Sequence, residues 1–162
     1  MTKKKTNTNW SKQIKKAIIY SEKKEYEVLI KKLPQGISYI DFDSKVIMIH
    51  SGYTKERQLY TILHELGHFL INHEQVKKYN KTLGYQYRKF SKNSVVYKVT
   101  EIEEEIEAWK LGYQLSKKLG IKVNRHNFEV FKSSMLSTYI TRHNNKNNKN
   151  SEATENNGKR KI

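Results

Sequence analysis

Cysteine is absent from the 162 residues, which excludes disulfide cross-links and every metal site built on thiolates. Aspartate is nearly absent too: Asp41 and Asp43 are the whole supply. Proline occurs once, at Pro34, so few positions forbid helix outright. No apolar run approaches the ~18 residues of a membrane span. The Lys3-Lys4-Lys5 start runs into polar residues rather than the hydrophobic region of a signal peptide. These absences predict a cytoplasmic protein without membrane contact, of a length that suits one domain with a real core.

What is abundant is positive charge. The formal net charge is +16, spread over both ends and the stretch from 74 to 99. Such a surface attracts nucleic acid or acidic protein without reading sequence. No helix-turn-helix or zinc-finger pattern accompanies it, so the charge reads as a steering field or as solubility.

The most informative residues are His64-Glu65-Leu66-Gly67-His68. On a helix, positions four apart share a face, so His64 and His68 can present two imidazoles to one zinc ion while Glu65 reaches the water that the ion holds. Tyr60, Leu63, Leu66, Gly67, Leu70 and Ile71 supply apolar or small positions at helical spacing. Thr54 reads as the N-cap of a helix from about Lys55 to His73.

A catalytic zinc site needs a third protein ligand and one open position. Cysteine cannot supply it, and neither Asp lies downstream of the motif. His73 follows His68 by five residues, one short of the extended HExxHxxGxxH pattern, and Ile71 stands where that pattern needs Gly; His73 reads as a helix C-terminal residue favoured by the dipole. A downstream Glu remains, and Glu101, Glu103, Glu104, Glu105 and Glu107 cluster in one predicted helix. Glu103 and Glu107 align with Lys110, a surface signature. Glu105 shares a stripe with Ala108, Trp109 and Gly112, and Glu104 one with Ala108, Leu111 and Leu115. The helical wheel leaves Glu104 and Glu105 as alternatives.

The stretch Lys55 to Leu70, followed by Glu105-Ile106-Glu107-Ala108-Trp109-Lys110-Leu111-Gly112, resembles the ImmA/IrrE family of metallopeptidases, over about residues 35 to 119. Those proteins carry an HELGH helix and then a helix of the form E-x-x-A-(N/D)-x-F-A whose leading Glu completes the metal site. The resemblance implies Glu105 as that ligand. Trp109 replaces the usual Asn or Asp, Leu111 the Phe and Gly112 the Ala, and the Leu-Leu-x-Pro ending is missing. It further implies an α+β, zincin-like fold in which a small antiparallel sheet packs against the HExxH helix and further helices. The implied activity is zinc-dependent endopeptidase action on a regulatory protein, such as a helix-turn-helix repressor of a phage or mobile element. A regulatory binding protein without turnover is the competing class, and intact Glu65 argues against it. His64, His68 and Glu105 would hold Zn²⁺ and Glu65 would act as general base. An oxyanion donor is also expected, with Tyr85, Tyr87, Tyr97 and His126 unranked.

Along the rest of the chain, residues 1–8 read as a disordered basic start, 9–143 as the metallopeptidase domain and 144–162 as a disordered Asn/Lys-rich tail. Trp10 to about Lys32 has loosely helical spacing. Ile37 to Phe42 and Val46 to Ile49 read as two strands joined by a turn at Asp43-Ser44. The second is either scaffold or a cleft strand to which an extended substrate adds. Residues 74 to 99 are either a substrate-covering loop or solvated filler. Helices are expected from about Glu101 to Leu119 and from about Arg125 to Ile140.

Overall fold

The computed structural model describes residues 9–34, 36–75 and 90–158. The expected disordered start, Tyr85, Tyr87 and most of the proposed covering loop lie outside them. Helix α1, Trp10–Glu22, starts at Asn9, whose side chain accepts the Lys12 N–H at 3.0 Å. Gln13, Ile14, Ala17 and Ser21 form its buried stripe. The helix stops ten residues short of the expected end. Lys24 and Glu25 turn the chain back, Glu25 in the left-handed region (φ 66°), and Ser21 clamps the reversal. Its carbonyl accepts from Tyr26 N–H, and its hydroxyl donates to the Tyr26 carbonyl, each at 3.0 Å.

Strand β1, Glu27–Lys31, follows where helix was expected. Strands β2, Tyr39–Asp41, and β3, Val46–His50, form the expected hairpin, its turn held by Asp41 Oδ1 accepting from the N–H groups of Asp43 and Ser44 at 3.0 and 3.2 Å. The sheet order is β1-β3-β2. β3 runs parallel to β1 (Glu27 opposite Val46) and antiparallel to β2 (Tyr39 opposite Met48). The sheet is therefore mixed, not antiparallel as expected. β3 is its central strand, so Val46–His50 has no free edge for a substrate strand; among the described residues the open edge beside the hairpin belongs to β2. Ile47 and Ile49 point into the core and are fully buried.

Helix α2, Lys55–Leu70, starts at Thr54, whose hydroxyl accepts the Arg57 N–H at 3.4 Å, and continues into a π-helical turn, Ile71–Gln75. Every residue from Gln58 to Gly67 is buried. Gln58 ties the helix start to the strand before it, donating to the carbonyls of Ser51 and Tyr53 at 3.1 and 2.9 Å. Helix α1 and the sheet cover one side of α2, and helix α3, Val95–Lys118, covers the other. α3 begins six residues before its expected start, at the Ser94 hydroxyl, which accepts the Tyr97 N–H at 3.1 Å.

Helix α4, Arg125–Gly158, packs Phe128 and Phe131 into the core. Its helical backbone runs past the expected end at Ile140 and through residues expected to form a disordered tail. No Gly or Pro interrupts 126–157, so nothing in the backbone chemistry stops the helix where its apolar face ends. Among the described residues the fold is α+β, four helices and a three-stranded sheet. No described helix is long and apolar enough to cross a membrane.

Two glycines set the distance between α2 and α3. A Cβ on Gly67 would overlap the Ala108 carbonyl, and one on Gly112 would overlap the Leu63 carbonyl. The helix backbones touch directly there. Glu105 lies one turn before Ala108, which delivers its carboxylate to the turn of α2 that carries His64 and His68.

Candidate metal centre

Three buried side chains meet at this contact. One ligand atom from each of His64, His68 and Glu105 lies within 4.8 Å of the others. Glu105 Oε1 is 3.5 Å from His68 Nε2, and Oε2 is 3.2 Å from His64 Nε2. The latter approach is off the hydrogen-bonding direction, so Oε2 has no hydrogen-bond partner, and neither does His64 Nδ1. Two imidazoles and a carboxylate with an unused lone pair, all less than a tenth exposed except the part-buried His68, are a donor set that fits a divalent cation. The wheel alternatives are also separated here. Glu105 faces the two Nε2 atoms, whereas Glu104 Oε1 lies 3.5 Å from the opposite nitrogen of His68, Nδ1. That is the outer position from which a carboxylate orients a metal-binding imidazole.

Glu65 projects to the sheet side of α2. Burial raises its pKa, against the lowering effect of His64 and His68; Glu105 adds to the rise, and the backbone N–H of Ile40 on β2 opposes it. The result is a carboxyl whose proton affinity is above the ordinary carboxylate range, beside His64 and His68. The Ile40 contact also places β2 beside the site.

Burial would raise the Glu105 pKa, but the close approach and charge of His64 and His68 hold it well below the usual range. For His68 burial acts downward, and hydrogen bonds to Glu104 and Glu105 with the charges of Glu105 and Glu65 outweigh it, raising the pKa from 6.5 to about 10. The folded value exceeds the ordinary one, so this contact stabilises the metal-free fold fully below pH 6.5 and is lost as pH rises through about 10. A cation must displace that proton. Metal binding between pH 7 and 9 is expected to release about one proton per ion, with affinity rising about tenfold per pH unit. Titration calorimetry in buffers of different ionisation heat measures this, and binding with no proton release would show His68 already neutral.

Of the expected oxyanion donors, Tyr97 sits in the first turn of α3, and His126 lines a cavity with Glu56, Arg57 and Phe131 that includes none of the four site residues. Among the described residues, Tyr139 on α4 brings a hydroxyl to Glu105. Burial, the charge of Glu105 and a hydrogen bond to it all raise its pKa. Arg142, one turn on, covers the Tyr139 ring at 4.7 Å and donates to Glu101 at 2.8 Å, pinning α4 to α3. Tyr139 shares a helical face with Phe128, Phe131 and Met135, and a tyrosine at the wet end of such a face was the available signal. His73, read as a non-ligand, shares a 3.2 Å hydrogen bond with Tyr26 and stacks on Phe69.

Residues 22–94 match the family model Peptidase_M78, described as an IrrE N-terminal-like domain. The match bears out the ImmA/IrrE resemblance for the first motif and ends before Glu105, whose place rests on the geometry above. No curated protein and no solved structure shows a significant match.

Proposed function

We propose, from the match of residues 22–94 to the Peptidase_M78 family model, that the protein is a zinc-dependent endopeptidase in which His64, His68 and Glu105 hold the ion and Glu65 is the general base. The observation that carries the reading is the buried His64, His68 and Glu105 group with Glu65 beside it. Bound by His64, His68 and Glu105, zinc would supply Lewis acidity toward a scissile carbonyl and toward water at neutral pH. Glu65 accepts the proton of the attacking water and delivers it to the leaving amine, for which its raised pKa suits it. Tyr139 offers its hydroxyl to the oxyanion. An extended peptide is placed along the open edge of β2, next to the Ile40 N–H that touches Glu65.

The substrate we assign is a regulatory protein such as a helix-turn-helix repressor, with the basic surface steering an acidic or DNA-bound target in the cytoplasm. Incubating the zinc-loaded protein with a candidate repressor should give one defined cut by mass spectrometry, abolished by a chelator. Tight repressor binding without a cut would favour the non-catalytic binding reading instead. Ligand roles are tested separately by metal content. Glu105→Gln should lose most of its zinc. Glu104→Gln should keep one ion per chain with affinity lowered about tenfold, as for other residues that orient a ligand. Glu107→Gln, whose carboxylate pairs with Lys110 on the surface, should match wild type. Full zinc in Glu105→Gln with loss in Glu104→Gln would exchange the two roles.

A further inference from the structure

The two histidines of the centre are held by different means. His68 has Glu104 at its outer nitrogen, whereas the outer nitrogen of His64 is buried and has no hydrogen-bond partner among the described residues. What His64 has is an aromatic ring. The Trp109 indole lies against its imidazole with centroids 4.2 Å apart and planes 19° from parallel. Trp109 is 1% exposed and is itself gripped edge-on by Phe128 and Phe131 of α4, at 5.4 and 5.8 Å. Its Nε1 has no acceptor among the described residues, so the side chain contributes through its faces and not through its N–H.

We infer that Trp109 is a positioning residue of the metal centre: its face holds the His64 ring toward Glu105 in place of a hydrogen bond at Nδ1. This rests on the metal reading of the site. A carboxylate at the outer nitrogen fixes an imidazole and also makes it a stronger donor. A stacked indole fixes the ring without adding that negative charge. His64 is therefore an oriented but weaker donor than His68, and its orientation depends on how α4 packs, because Phe128 and Phe131 hold the indole in place.

Zinc affinity by competition with a chromophoric chelator, at fixed pH, separates the possibilities. Trp109→Phe keeps a flat face and should bind zinc within about threefold of wild type, whereas Trp109→Leu keeps apolar bulk without the face and should bind about 10- to 100-fold more weakly, the range known for ligand-orienting residues. Unaltered affinity in a folded Trp109→Leu protein, or equal loss in both variants, overturns the inference while leaving the metal reading intact. Absence of zinc binding by the unsubstituted chain overturns both. A second measurement avoids any folding defect at position 109. The sequence has two tryptophans, so Trp10→Phe leaves Trp109 as the single indole reporter. Its emission should change in step with zinc and saturate at one equivalent, while Trp10 emission in Trp109→Phe stays flat. Zinc bound without any change in Trp109 emission would show that the indole does not sense His64, and would sink the proposal.

Discussion

Glu65→Gln is expected to lower peptide-bond cleavage at least 10²- to 10⁴-fold, the usual contribution of a positioned base, while retaining one zinc per chain. The amide has nearly the shape of the carboxylate and cannot take the proton that water must give up. A second expectation comes from the same burial. Because the folded state raises the Glu65 pKa, the ionised carboxylate costs stability above its unfolded pKa, and that cost grows as pH rises toward the folded value. The Gln variant should therefore melt at a higher temperature than wild type at pH 7 and lose this advantage at acid pH, where both side chains are neutral. Activity assays on a cleaved repressor together with calorimetric melting at pH 4 and pH 7 check both parts. Undiminished turnover would remove Glu65 from the chemistry. A lower melting temperature at pH 7 would show that its carboxylate is held by more than the Ile40 N–H.

Gly67→Ala should be among the most damaging single changes to the fold, despite adding one methyl to a helix interior. Intrinsic propensity favours Ala over Gly by about 1 kcal/mol there. Against that gain stands a Cβ driven into the Ala108 backbone carbonyl, which no rotamer change can relieve; α2 and α3 must separate. Overpacking costs about 1–3 kcal/mol even where side chains can give way, so a net loss of about 3 kcal/mol or more is expected for a backbone collision. Gly112→Ala meets the Leu63 carbonyl in the same way. Both variants should also lose metal, since separation of the helices draws Glu105 away from His64 and His68. Chemical denaturation and elemental analysis provide the readouts, and a Gly67→Ala protein more stable than wild type would mean that the helices are not in backbone contact.

Helix α2 was legible from sequence because several signals coincide on it: the N-cap at Thr54, the apolar spacing and the motif. Strand β1 was not. Its apolar core is only Val28-Leu29-Ile30 between charged residues, a run too short for its period to tell strand from helix, and its partner β3 lies nearly twenty residues away. The position of β3 between two strands that both precede it was equally out of reach, since a hairpin reading supplies only one neighbour. Glu104 and Glu105 resisted separation on the helical wheel for a reason the structure makes plain: both face the histidines, one at the outer nitrogen of His68 and the other at the inner nitrogens. Ile40 reaches the site through tertiary packing alone and left no local pattern, and Tyr139 left only its place on the apolar face of α4. The starting point of α3 was hidden because Val95, Val96 and Val99 are exposed, with no apolar stripe to announce the first turns.

A metal ion held by His64, His68 and Glu105 would also serve as a cross-link in a chain that has no cysteine to form one. It joins α2 to α3 across everything between them, closing a loop of about forty residues. By the chain-entropy argument used for disulfides, constraining a loop of that length withdraws about 4 kcal/mol of freedom from the unfolded ensemble. The two helices that carry the chemistry would thus be fastened by the ion they bind, so that stripping the metal would loosen the scaffold along with the site.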